Sequence, residues 1–369
     1  MKIVSVVGAR PEFVQVAVLS PLLRERHVET LIHTGQHYDR AMSDRFFIDL
    51  GIPDPEINLG IATVGASQQT GDMLQAIARV LAQVQPDLVI VRGDTTSTLA
   101  GALAAKQALI PLVHIEGGMR SYDRTMPEEL NRIVADHIAD IALVTDDAAR
   151  ERLAAEGITR DVHVCGDVMY DVFLRAQPRA RAECDERLRA IASVPYDLLT
   201  LHRAENTDDA GRLRAIVAGF SEAPRRIVFP CHPRTAARLR DFGIGLPDRV
   251  VVVEPLGYLE MVALESDADR ILTDSGGVQR EAYFAGVPAL TLRDTTEWTN
   301  TVDAGWNRLL GARTDDIRAA LAAPAQRPRD RPALFGDGNA AGRIVAELDE
   351  PRTRAIVEEA ARVRRARGR

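Results

Sequence analysis

The sequence predicts an α/β protein built as two doubly wound, Rossmann-like domains facing across a cleft. Three observations carry that expectation. Strand-length apolar runs alternate with helix-period segments along nearly the whole chain. The alternation breaks once, between Asp167 and Val194. And 369 residues are too many for one ordinary hydrophobic core and about right for two α/β domains.

Taken in order, the first set of strands is expected at Ile3–Val7, Thr30–His33, Leu88–Val91, Leu112–Ile115, Ile141–Val144 and Val162–Val164. The stretch from Asp167 to Val194 has no strand signal and is rich in Arg, Ala and Glu, so it reads as helical and holds the domain junction. The second set follows at Leu198–Leu201, Ile227–Phe229, Val250–Val253, Arg270–Thr273 and Ala289–Leu292. This divides the chain into residues 1–168 and 169–349. Pro324 to Pro332 reads as a loop. The basic, helical tail within 350–369 is expected to pack back on the first domain.

Composition narrows the function. Apolar residues make up 46 % and charged residues 27 %, with a net charge of −7, which argues for neither nucleic-acid nor membrane binding. Only Lys2 and Lys106 are lysines, so arginine is the default cation here and a single arginine carries little weight. Cys165, Cys184 and Cys231 have neither metal nor redox spacing. No His/Cys/Asp cluster has metal-ligand spacing either, so no metal is expected. A strand opens at Lys2, leaving no room for a signal peptide, and no apolar run reaches membrane-spanning length. The expectation is a cytoplasmic protein acting on a small molecule.

The run Thr273-Asp274-Ser275-Gly276-Gly277 joins a strand to a helix. Ser275 suits the N-cap, and the two glycines leave backbone N–H groups unshielded, an arrangement suited to a phosphate at a strand's carboxyl end. Glu281, one turn after Gly277, faces the same way and could accept from ribose hydroxyls. After the first strand, Gly8-Ala9-Arg10-Pro11-Glu12 lacks the dinucleotide glycine fingerprint, which weighs against nicotinamide or flavin and suits a nucleotide held by the second domain and clamped by the first. Asp94 and Glu116 end strands and should point into the crevice, and Glu128 opens a helix at the same edge. Asp94 could instead cap the next helix, and Glu128 could form a capping box with Thr125 and pair with Arg132. His202, His232 and His37 all follow strands.

The ordered set of motifs resembles the non-hydrolysing UDP-N-acetylglucosamine 2-epimerases, of glycosyltransferase-B-like fold. It runs from Gly8–Glu12 through Gly93-Asp94-Thr95-Thr96, His114–Arg120, Met126–Arg132, His202-Arg203 and Thr273–Glu281 to Arg293–Glu297 and Phe335–Gly338. The resemblance implies that Arg10, Gln15, His202, Arg203, Ser275, Gly276, Gly277, Glu281 and Trp298 contact UDP or sugar, and that Asp94, Glu116, Glu128 and His202 are catalytic. It implies no cofactor, a homodimer, a nucleotide-sugar substrate, and ManNAc-type sugars for cell-surface polysaccharide. Gln36 and His37 are candidates for a regulatory site. Three positions depart from the family pattern: Gln15 stands where lysine is usual, Trp298 where arginine is frequent, and Gly117 where alanine is usual, the last a mild change. His202–Asn206 and Glu297-Trp298 also resemble the branch acting on UDP-2,3-diacetamido-glucuronate. A glycosyltransferase of the same fold, a hydrolysing epimerase and a catalytically weakened UDP-sugar sensor are the competing readings.

Overall fold

The computed structural model describes residues 1–36, 49–63 and 65–367, the side chain of Arg10 excepted. The chain divides into two compact units. The first comprises Met1–Val172 and Phe335–Arg369, the second Phe173–Leu334.

The first unit holds a parallel sheet of β1 (Lys2–Val7), β2 (Val28–His33), β3 (Ile57–Asn58), β4 (Leu88–Arg92), β5 (Leu112–Gly117), β6 (Ile141–Val144) and β7 (Val162–Val164). Its spatial order is β3-β2-β1-β4-β5-β6-β7. The runs are apolar at nearly every position because helices cover both faces. Alternation assigns the residues to the two faces. Val4, Val6, Val89 and Val91 pack with Met73, Ile77 and the alanines of the helix Thr96–Gln107. Val7 and Leu31 pack with Phe13 and Val16 of the helix Arg10–Arg26. The chain's last two helices belong to this unit: Asp171 accepts from the N–H groups of Ala340 (3.0 Å) and Ala341 (2.8 Å), and Arg26 pairs with Asp349 at 2.6 Å.

The second unit repeats the plan with β8 (Tyr196–Thr200), β9 (Arg226–Pro230), β10 (Val250–Val253), β11 (Arg270–Thr273), β12 (Ala289–Thr291) and β13 (Asn307–Leu309), ordered β10-β9-β8-β11-β12-β13 and again parallel. Leu199, Ile227, Phe229 and Leu272 face one core; Leu198, Val228 and Ile271 face the other. The α/β class and the two doubly wound sheets agree with the sequence. The strands it missed, β3 and β13, are short sheet edges with one to two polar residues each. Among the described residues no helix is long and apolar enough to cross a membrane.

Candidate active site

In each sheet the strand order turns back at one central pair, β1/β4 in the first unit and β8/β11 in the second. Loops leaving the carboxyl ends of such a pair form the ligand crevice of doubly wound sheets. The candidate residues cluster on these loops and on their immediate neighbours.

In the first unit β1 runs into a turn with no room for a side chain at Gly8, where a Cβ would lie 2.0 Å from Ser97 Oγ. The N–H groups of Gly8 and Ala9 donate to Glu12 at 2.6 and 2.8 Å, and Thr95 and Thr98 donate to its other oxygen at 2.7 and 3.0 Å. Burial pushes the Glu12 carboxyl above its ordinary value, and the four hydrogen bonds oppose that. Glu12, to which the sequence assigned no role, therefore fixes the turn from which Arg10 opens its helix. On the same helix Gln15 is buried, and its Nε2 donates to Glu116 Oε2 at 2.7 Å.

Glu116 sits in a bulge. The register of β5 against β6 shifts between Ile115 and Gly117, and Glu116 has a φ of 67°, in the left-handed region. Bulges re-aim side chains, and strained backbone persists only where its surroundings hold it. The hold comes from a buried network beneath it. His114 Nδ1 lies 2.7 Å from Asp136 Oδ1, and its Nε2 lies 2.7 Å from the Gly93 carbonyl oxygen. Both partners are acceptors, so both ring nitrogens carry protons. Burial pulls the His114 imidazole down, but the Asp136 carboxylate, the Gly93 carbonyl and the Glu116 carboxylate together outweigh it and hold the ring above its ordinary value. Burial pushes Asp136 up, but His114 and Arg120 together hold it below the usual carboxylate range. Asp136 also accepts from the Gly118 N–H at 3.1 Å and from Arg120 Nη1 at 2.7 Å.

Through the Gly93 carbonyl this network reaches Asp94. Arg132 grips the Asp94 carboxylate, and Asn131 Nδ2 donates to its carbonyl at 2.9 Å. Thr95, not Asp94, caps the helix Thr96–Gln107. Glu128 is exposed in the first turn of the helix Pro127–Ile138, without the expected capping box. Thr125 donates to Asp123 at 2.6 Å, and Arg132 pairs with Glu129 at 3.0 Å instead of Glu128. The reason is phase: with Pro127 as the first helical residue, Glu129 turns inward and Glu128 outward. Gln36 Oε1 accepts from Ser97 N (3.1 Å) and Ser97 Oγ (2.7 Å). His37 lies outside the described residues.

In the second unit Asp274, fully buried at the end of β11, organises the loop after β8. It accepts from the N–H of His202 at 3.1 Å, the N–H of Arg203 at 2.9 Å and Asn206 Nδ2 at 3.2 Å. Its Oδ1 lies 3.4 Å from His202 Nδ1, while the His202 side chain stays 45 % exposed. The run Thr273-Asp274-Ser275 contains this residue, but only the folded chain shows that its carboxylate ties two strand ends together. Ser275 caps the helix Gly276–Ala285 by accepting from Val278 N–H at 3.5 Å, as expected. Gly276 admits no side chain, since a Cβ would meet Glu297 Oε1 at 2.4 Å; among the described residues only Ser275 Oγ comes near a Cβ at Gly277, at 3.8 Å. Glu281 is buried on that helix. Trp298 is buried with the Arg280 guanidinium 4.3 Å above its ring, and Glu297 pairs with Arg293 at 2.9 Å. Thr296 donates to Gln279 Oε1 at 2.6 Å, fastening this loop to the helix.

The first unit thus places Gln15 against Glu116, sets Glu116 and Asp94 next in the chain to segments held by the His114 network, and carries Glu128 on the helix that also bears Arg132 and Asp136. The second gathers His202, Arg203, Ser275, Gly276, Gly277, Glu281 and Trp298 around one helix N-terminus. Carboxylates at strand ends can move protons, and backbone N–H groups at a glycine-rich helix start can hold an anion.

Residues 22–349 match the family model described as UDP-N-acetylglucosamine 2-epimerase. A UDP-N-acetylglucosamine 2-epimerase homolog of Methanococcus maripaludis is 44 % identical, over 94 % of this chain and 99 % of its own. A UDP-2,3-diacetamido-2,3-dideoxy-D-glucuronate 2-epimerase of Pseudomonas aeruginosa is 43 % identical over the same shares. The crystal structure of the Methanocaldococcus jannaschii UDP-GlcNAc 2-epimerase in complex with UDP-GlcNAc and UDP superposes with a TM-score of 0.87 at 40 % identity, covering 94 % of this chain and 99 % of that one. With the motifs in order along a fold of this kind, the chain belongs to the UDP-N-acetylglucosamine 2-epimerase family.

Proposed function

We propose that this protein inverts C2 of a UDP-linked 2-acetamido sugar, interconverting UDP-GlcNAc and UDP-ManNAc without a cofactor. The observation that carries the reading is the 40–44 % identity over 94 % of the chain to epimerases and an epimerase homolog, one of them crystallised with UDP-GlcNAc and UDP. In the proposed reaction UDP departs anti across C1–C2: a carboxylate takes the C2 proton while the C1–O bond breaks and its electron pair leaves with UDP. The 2-acetamidoglucal that remains is protonated at C2 from the opposite face, and the UDP oxygen adds back to C1. Asp94, Glu116 and Glu128 supply the proton-handling and cation-stabilising groups, and Gln15 holds Glu116 in place. His202, Arg203, Ser275, Gly276 and Gly277 hold the departing diphosphate, Glu281 the ribose, with Arg10 and Trp298 beside them.

The 43 % identity to the diacetamido-glucuronate epimerase supports a second substrate, the corresponding UDP-diacetamido-uronate. One experiment tests both. Purified protein is incubated in deuterated water, without metal or nicotinamide, with each nucleotide sugar in turn. Deuterium at C2 together with the C2-inverted product identifies the substrate. Free sugar would point to hydrolysis, and unchanged substrate with tight binding would leave a sensor.

A further inference from the structure

Tyr122 combines three properties that a merely structural turn residue does not need. Its φ is 59°, left-handed backbone that a bulky L residue adopts only under constraint. It is 75 % exposed, so its side chain contributes little packing to justify that conformation. And its mount is rigid. Glu129, nearly fully buried, accepts from Ser121 N–H (2.8 Å), Ser121 Oγ (2.9 Å) and Tyr122 N–H (2.9 Å). The far end of the loop is tied where Thr125 N–H and Oγ donate to Asp123 at 3.0 and 2.6 Å.

Glycine or asparagine would satisfy such a turn with less strain, and lone exposed apolar residues are common; the tyrosine stands out because strain, exposure and fixation coincide. Its position gives the strain a purpose. Tyr122 lies in the connection from Glu116 to Glu128, and its anchor Glu129 is bonded to Arg132, which grips Asp94. The loop is thus tied to the scaffold that holds Asp94, and along the chain it joins Glu116 to Glu128.

We propose that Tyr122 is a specificity-determining residue that lays its ring against the apolar face of the sugar moiety, pyranose C–H groups and acyl methyl, while its hydroxyl serves a polar substituent. An aromatic ring with a polar tip suits a ligand that is apolar on one face and hydroxylated at its edge. The contact is to sugar rather than to UDP, because the loop belongs to the carboxylate unit and not to the helix suited to the diphosphate. This rests on the nucleotide-sugar reading above.

The test compares wild type with Tyr122→Gly and Tyr122→Phe in the full chain. Calorimetric Kd values for UDP and for UDP-GlcNAc are measured beside KM, kcat and Tm. For Tyr122→Gly the expected result is a Tm no lower than wild type, an unchanged Kd for UDP, and a roughly tenfold weaker Kd and higher KM for the nucleotide sugar, the scale of one lost ring contact. Tyr122→Phe should recover most of that loss. Unchanged sugar-nucleotide binding, equal weakening of UDP and UDP-GlcNAc, or a changed oligomeric state with unaltered binding would each overturn the proposal. The ratio of the two Kd values needs no turnover, so a wild type that binds the sugar nucleotide without epimerising it defeats the functional reading and leaves the Tyr122 contact to be judged on its own.

Discussion

Gly117 shows how much one missing methyl group settles. The resemblance leads one to expect alanine there and a mild change, but a Cβ at this position would lie 2.8 Å from Asp136 Oδ1. That oxygen is the one 2.7 Å from His114 Nδ1, and its carboxylate also holds Gly118 and Arg120. A side chain pinned from three directions cannot step aside freely. Gly117→Ala should therefore cost about 1–2 kcal/mol, the usual penalty for overpacking, read as a lower urea midpoint at unchanged slope. An unchanged midpoint would mean that Asp136 relaxes and that the network under Glu116 is not rigid. Gln15 illustrates the same point from the other side. Its amide nitrogen lies 2.7 Å from Glu116, and its buried Oε1 has no partner among the described residues. A lysine there would meet the carboxylate first, holding it ionised, so the charge missing from this chain bears on Glu116 before it bears on any diphosphate.

At the scale of elements, β5 and its bulge depend on the buried His114–Asp136–Arg120 network, and that dependence carries a pH signature. His114 is held above its ordinary value of 6.5, so its contribution is fully present below 6.5 and is lost as pH rises through the raised folded value. Asp136 is held below its ordinary 3.8, so its contribution is present above 3.8 and is lost as pH falls through the depressed value. Both contribute fully between 3.8 and 6.5. His114→Gln should cost about 3–5 kcal/mol at pH 6, the scale of stripping one partner from a buried pair, and the gap to wild type should narrow on going alkaline. Chemical denaturation of both proteins from pH 5 to 9 measures it; a gap that is flat or widens with pH would show His114 to be neutral.

The same elements show what the sequence disclosed. The central strands were legible because two-sided burial demands unbroken apolar runs, and the Ser275 cap because its residue types have few other uses. β3 and β13 were not, since edge strands of two and three residues carry no periodicity. Glu128 was legible as a helix start, but which of two adjacent glutamates turns inward depended on where the first turn began, and Pro127 settled that. The parts played by Glu12 and Asp274 were hidden because each joins segments distant in the chain; Asp274 meets residues 68 to 72 positions away.

For the whole molecule, the two units have separate cores and repeat one strand order, so heating should resolve more than a single two-state transition. That separation lets ligand linkage report where UDP is held. The helix start at Ser275–Gly277 and the loop fixed by Asp274 both belong to Phe173–Leu334. A ligand that binds only the folded form of a unit stabilises it by RT ln(1 + [L]/Kd), about 2.7 kcal/mol at a hundredfold excess over Kd. In scanning calorimetry, UDP at that excess should raise the transition of the second unit by a few degrees. The transition can be assigned beforehand with Asp274→Ala, which leaves the N–H groups of His202 and Arg203 without their buried acceptor and lowers that unit's midpoint selectively. The same variant should lose most of the UDP-induced shift, because the loop bearing His202 is no longer fixed. If UDP moved only the transition that Asp274→Ala leaves untouched, the nucleotide would be held by the carboxylate unit, and the division of labour proposed for this enzyme would have to be reversed.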